Sequence, residues 1–171
     1  RRKSINYPGY SHQNPIPNAS RIGNILMSSI MNGTEPGTRT APPDLAGQVT
    51  NIFKHIRLCV EAAGGTVDDI IKINFWMKQP STGRAALNEE WVKMFPDEAS
   101  RPARHTLSLS ADSAHHVTCD FMAVIGGYEL VHPSLDVRGH ADPGAGGGKF
   151  QGSLLRRLQS DLFHRRAQPP D

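Results

Sequence analysis

Apolar and polar positions along the chain switch between two spacings, one of two residues and one of three to four. Residues 25–31 form an apolar run that reads as a buried strand, and residues 19–22 allow a short strand before it. Asn32-Gly33 and Glu35-Pro36-Gly37 mark the turns that follow. After Pro42-Pro43, Asp44 is placed to cap a long helix. Its apolar positions are Leu45, Val49, Ile52, Phe53, Ile56, Val60 and Ala63, and Gly64-Gly65 ends it. Residues 70–78 alternate: Ile71, Ile73, Phe75 and Met77 on one face, Lys72, Asn74, Trp76 and Lys78 on the other. A second helix over 82–95 gathers Leu87, Trp91, Met94 and Phe95 on one side and stops at Pro96. Strands over 103–110 and 117–125 follow, joined by a loop carrying Asp112, Ser113, His115 and His116. Apart from 19–22, residues 1–24 read as turns, with Tyr7-Pro8-Gly9-Tyr10 and Asn14-Pro15-Ile16-Pro17-Asn18.

This order predicts an α+β fold, a mixed sheet with two helices on one face. Such a sheet should be polar on its uncovered side. The last strand is not: Val117, Cys119, Phe121, Ala123 and Ile125 share one face, but Met122 and Val124 stand beside Thr118 and Asp120 on the other. A second copy of the chain is the simplest cover for that face.

Composition narrows the class. The 171 residues are 37% hydrophobic and 20% charged, enough for one globular domain over 1–130, and no run of about 20 apolar residues is present to span a membrane. The net charge of +3 comes wholly from residues beyond 148, so the body is neutral and lacks a basic footprint for nucleic acid. Residues 131–171 read as a Gly-rich linker and a basic tail, in which Leu154, Leu155, Leu158, Leu162 and Phe163 form a weak helical stripe. Cys59 and Cys119 sit inside apolar patterns and read as buried hydrophobes in a reducing compartment. With no apolar leader opening the sequence, the expected location is cytoplasmic. The eight histidines show no metal-ligand spacing, so no metal is expected, and neither phosphate-binding glycine loops nor a GxSxG nucleophile motif occurs.

Two side chains are out of place. Arg104, Thr106 and Ser108 share one face of their strand. Leu107 and Leu109, on the opposite parity, are expected to face the helices, which turns Arg104 toward the intersubunit face. A guanidinium there needs an anion: a carboxylate across the interface, or the carboxylate of a substrate, which arginine grips in bidentate fashion. Asp120 interrupts the apolar last strand. It is either the salt-bridge partner of Arg104 or an acid–base group that positions water.

Val60-Glu61-Ala62-Ala63-Gly64 followed by Asp69-Ile70-Ile71-Lys72, then Leu87-Asn88, Arg101-Pro102-Ala103-Arg104 and Cys119-Asp120-Phe121-Met122-Ala123-Val124, resembles the Rid family in order and spacing. These are the reactive intermediate deaminases, or YjgF-like proteins, also described as endoribonuclease L-PSP. The resemblance runs from about residue 15 to 125. It implies a chorismate-mutase-like α+β fold and a homotrimer whose sheets form a central barrel, with clefts between subunits. It implies hydrolysis of small enamine or imine carboxylic acids, such as 2-aminoacrylate, to 2-oxo acids and ammonia, with no metal or organic cofactor. By the resemblance Arg104 holds the substrate carboxylate, and Asp120 stands where the deaminases usually have glutamate. Asn88 lies near the cleft, Ser28 belongs to a Ser-Gly-Gln stretch that here reads Ser28-Ser29-Ile30, and Thr106 replaces a frequent cysteine. Pro17-Asn18-Ala19-Ser20 stands where the family carries Pro-Tyr-Ser-Gln. Alternatives are a non-catalytic trimer that binds small carboxylates, a deaminase of the 2-aminomuconate type, and RNA cleavage, which the neutral body disfavours.

Overall fold

The structure, a computed structural model, describes residues 1–126. In chain order its elements are β1 (Lys3–Ile5), β2 (Ala19–Ile22), β3 (Ile25–Ser28), β4 (Met31–Asn32), α1 (Leu45–Ala62), β5 (Ile70–Met77), α2 (Pro80–Met94), β6 (Ala103–Ser108) and β7 (Val117–Val124). Short 3-10 turns, Val67–Asp69 and Glu98–Ser100, lead into β5 and β6. One sheet runs in the order β1, β2, β3, β7, β5, β6, with β4 also paired to β7. Every pairing is antiparallel except β5 with β6, where α2 supplies the crossover that parallel strands require. The expected mixed sheet with two helices is therefore the observed fold.

Helix α1 begins as predicted, with the Asp44 carboxylate accepting from Gly47 N at 2.8 Å. Gly64, at φ +83°, takes the left-handed position after the helix that a side chain would resist. The apolar stripe is buried, and so are three polar residues on the same helix, Gln48, Asn51 and His55. Each has a partner: Gln48 Oε1 accepts from His116 N at 2.8 Å, and Asn51 Nδ2 donates to Gly33 O at 3.2 Å. The His55 ring lies between Tyr7 Oη (2.9 Å) and Thr34 O (2.7 Å). Helix α2 packs closely because Gly83 has no Cβ; one there would collide with the end of Met77. Phe75 joins the two helices to the sheet, its ring 5.8 Å from Phe53 and 6.4 Å from Trp91.

Four expectations need correction. The run 25–31 is two short strands, and only Leu26 and Met31 are buried; Ile25, Met27 and Ile30 are about half exposed. One side of that pleat is buried in the core, while the other is exposed among the described residues. In β5, a bulge leaves Ile71 without a partner between the Ile70–Ala123 and Lys72–Met122 pairs. Ile70 takes the buried place and Ile71 projects outward, 45% exposed. The first residues, read as turns, contain β1, which pairs with β2 through Lys3–Arg21. Leu107, paired with Trp76, does not face the helices.

Cys59 and Cys119 are buried and unbridged, and burial pushes the Cys59 thiol up to about 12. The linker and basic tail expected over 131–171 lie outside the described residues. Among the described residues no helix is long and apolar enough to cross a membrane.

Candidate functional site

The parallel pairing of β6 with β5 decides which way Arg104 points. Arg104 lies opposite Ile73, Thr106 opposite Phe75 and Ser108 opposite Met77. Paired residues in neighbouring strands project to the same face, and Ile73, Phe75 and Met77 are buried in the core. Arg104, Thr106 and Ser108 therefore face the helix layer, and Leu107 shares the outer face with Asn74 and Trp76. This reverses the expectation drawn from Leu107 and Leu109. Strand β6 ends the sheet, so its apolar side chains need not be on the covered side; Leu107 and Leu109 are only partly buried.

Under α2 the guanidinium meets two residues one helical turn apart. Arg104 Nη2 donates to Asn88 Oδ1 at 2.8 Å. The guanidinium carbon sits 4.9 Å from the centre of the Trp91 ring. Arg104 Nη1 is shielded from solvent and has no hydrogen-bond partner among the described residues. No carboxylate pairs with Arg104 among the described residues. Its pKa is lowered, first by loss of water around it and then by the nearby Arg84 charge. A half-buried cation with an unused N–H is suited to an arriving anion. Trp91 was legible in the sequence only as a core residue; its other signal is its position three residues after Asn88 on the same helix.

Asp120 is elsewhere. It pairs with Asn74 across β7 and β5, and Asn74 Nδ2 donates to Asp120 Oδ1 at 2.8 Å. Both project from the outer face, so within one protomer the sheet separates Asp120 from Arg104. No salt bridge joins them within the chain; the bridge expected between them is one across a subunit interface. Ser28, at the end of β3, uses its Oγ to accept from Phe121 N at 2.8 Å, repairing the ladder where β3 gives way to β4. It too stands strands away from β6. The structure thus brings together Arg104, Asn88 and Trp91, with Thr106 on the same face, and leaves Asp120 and Ser28 apart from them. Among the described residues no group of three or more His, Cys, Asp or Glu side chains is arranged to hold a metal ion.

Comparison with known proteins places this geometry. A family model described as Endoribonuclease L-PSP matches residues 12–116. The chain belongs to the endoribonuclease L-PSP family. Within it, the chain is 26% identical over 98 residues to a RutC family protein of Haemophilus influenzae, covering 56% of this chain and 75% of that protein. It is 29% identical over 90 residues to the 2-iminobutanoate/2-iminopropanoate deaminase of Escherichia coli, covering 52% of this chain and 70% of the enzyme. Solved structures share the fold: the YjgF gene product of E. coli superimposes with a TM-score of 0.64 at 25% identity, over 71% of this chain and 98% of that one. RidA from an Antarctic Psychrobacter gives 0.65 at 24% identity, over 72% and 99%. The YjgF-like fold expected from the sequence is therefore observed, and the L-PSP family match covers both helices and strands β2 to β6, including the Arg104 strand, and ends just before β7.

Proposed function

We propose that this member of the L-PSP family hydrolyses small imine or enamine carboxylic acids to 2-oxo acids and ammonia. The observation that carries the reading is Arg104: a half-buried guanidinium, backed by Trp91 and steered by Asn88, with an unpaired Nη1 and no carboxylate partner among the described residues. A substrate carboxylate supplies what Nη1 lacks. As the last strand, β6 directs half of its main-chain groups away from the sheet, and a carbonyl near Thr106 is suited to hold the substrate nitrogen. Water adds to the C=N carbon, and the carbinolamine then expels ammonia as the C=O bond forms. The relative named 2-iminobutanoate/2-iminopropanoate deaminase supports this chemistry.

Because Asp120 lies on the opposite face of the sheet, its role as the water-positioning group requires a second copy to bring it to the cleft. Exposed Ile25, Met27 and Ile71 support assembly through that outer face, as a homotrimer with clefts between subunits. The bond from Asn74 favours a second reading, a trimer that binds small carboxylates without turning them over, since it occupies one Asp120 oxygen. Ammonia release from imines generated in place separates the two. Hydrolysis by the wild type and its loss in Arg104→Ala supports the deaminase; binding of 2-oxo acids with no ammonia release selects the binding protein.

A further inference from the structure

A second polar cavity, of about 370 Å³, lies between the N-terminal arm and the turns after β4, lined in part by Tyr10, His12, Asn32, Thr34, Arg39 and His115. Its walls are tied by the main chain: Gly37 N donates to Gly9 O at 2.9 Å, and Glu35 N to Thr40 O at 2.8 Å. Tyr10 is fixed from three sides. Its hydroxyl accepts from Asn32 N at 3.2 Å, its carbonyl accepts from Asn18 Nδ2 at 2.9 Å, and its ring packs edge-on to His55 at 4.9 Å. The His12 ring stands against Tyr10 at 5.2 Å and nearly perpendicular to it.

Two imidazoles from distant parts of the chain thus line one space, and each has one solvent-shielded ring nitrogen, Nε2 of His12 and Nδ1 of His115, without a partner among the described residues, which leaves the other edge of each ring for the cavity. Asn32 spends its Oδ1 on Thr34 N, which leaves its amide N–H groups for the cavity. Arg39 adds a cation, and among the described residues no acidic side chain lines the space. Donors and one guanidinium without a carboxylate are a setting for a negative ligand. We propose that this cavity is a binding site for a small oxyanion, phosphate or a small carboxylate, held by Arg39, the Asn32 amide and ring N–H groups of His12 and His115. Burial lowers the pKa of both rings, so each enters the site neutral and able to present a single N–H. The proposal does not depend on the deaminase reading, because Arg104 takes no part in it.

Inorganic phosphate and acetate are titrated separately into the full chain at constant ionic strength, with chloride as control, while histidine ring 15N–1H NMR signals are followed. His12 and His115 should shift and saturate with at least one of the two, and which one saturates names the source. Arg39→Gln, an exposed change that spares folding, should weaken binding about 10-fold or more, the loss expected for a hydrogen bond to a charged group. His12→Gln and His115→Gln should each weaken it as well. The proposal is overturned if neither anion moves the two rings beyond chloride, or if Arg39→Gln binds like wild type. It is also overturned if Arg104→Ala weakens binding as much as Arg39→Gln, since the anion would then be occupying the other site.

Discussion

Removing the Arg104 guanidinium separates a ligand-gripping role from a structural one. In the folded protomer its protein contacts are one hydrogen bond to Asn88 and the face of Trp91. Such contacts contribute about 1 kcal/mol and about 0.5–1 kcal/mol. Against this, a half-buried cation no longer has to be held away from water. Arg104→Ala is therefore expected to change unfolding free energy by no more than about 1–2 kcal/mol. On the proposed hydrolysis the expected effect is larger. A bidentate carboxylate grip consists of two charge-assisted hydrogen bonds of about 1.5–3 kcal/mol each, so their loss costs about 10²–10⁴-fold in kcat/KM. Arg104→Lys keeps the charge and loses the fork, and should lie between, about 10–10² below wild type. The assay is ammonia release from imines formed in place from amino acids, paired with urea unfolding of each variant. An Arg104→Lys enzyme with wild-type kcat/KM refutes the fork. So does an Arg104→Ala protein that loses about 3 kcal/mol or more of stability, since the residue would then be a structural group.

Asp120→Asn should lower kcat by about 10²–10⁴ while leaving KM near wild type, as expected for a group that moves protons rather than binds the carboxylate; steady-state kinetics on the same imines checks it. If the proposed trimer forms through the outer face, Met27→Glu combined with Ile25→Glu should split it, so that light scattering reports the 18.7 kDa chain where wild type is expected at about three times that mass. Burial lowers the pKa of His55 below its ordinary 6.5, so the unfolded chain binds the extra proton and stability rises with pH. The contribution is fully present above about 6.5 and is lost as pH falls from there through the folded pKa, at up to about 1.4 kcal/mol per pH unit. His55→Gln should flatten that part of the curve in urea titrations at several pH values, while the smaller slope from the more exposed His12 and His115 persists.

Much of the fold was legible because its signals are local. The Asp44 cap, the spacing of the α1 stripe, Gly64-Gly65 and Pro96 each act within a few residues, and the helices begin and end near where those residues stand. Alternation likewise grouped Arg104 with Thr106 and Ser108, and set Asp120 apart from Cys119 and Phe121. Arg104, singled out by its place in the strand pattern, and Asn88, named from a family resemblance, do meet.

Alternation reports which side chains share a face and is silent on which face is covered. For β6 the decision came from its parallel pairing with β5, a contact between residues about thirty apart, which placed Arg104 beside Ile73 in the helix layer and left Leu107 outside. The bulge at Ile71 shifted an otherwise regular strand by one residue, and it exists only where β5 meets β7. Tyr7, His55 and Thr34 form one buried chain of hydrogen bonds from three separated segments, and nothing near any of them announces the others. Local chemistry therefore set the elements and their candidate residues. Pairing across the sheet, which depends on segments far apart in the sequence closing around one core, decided that the arginine and the aspartate stand on opposite sides of it.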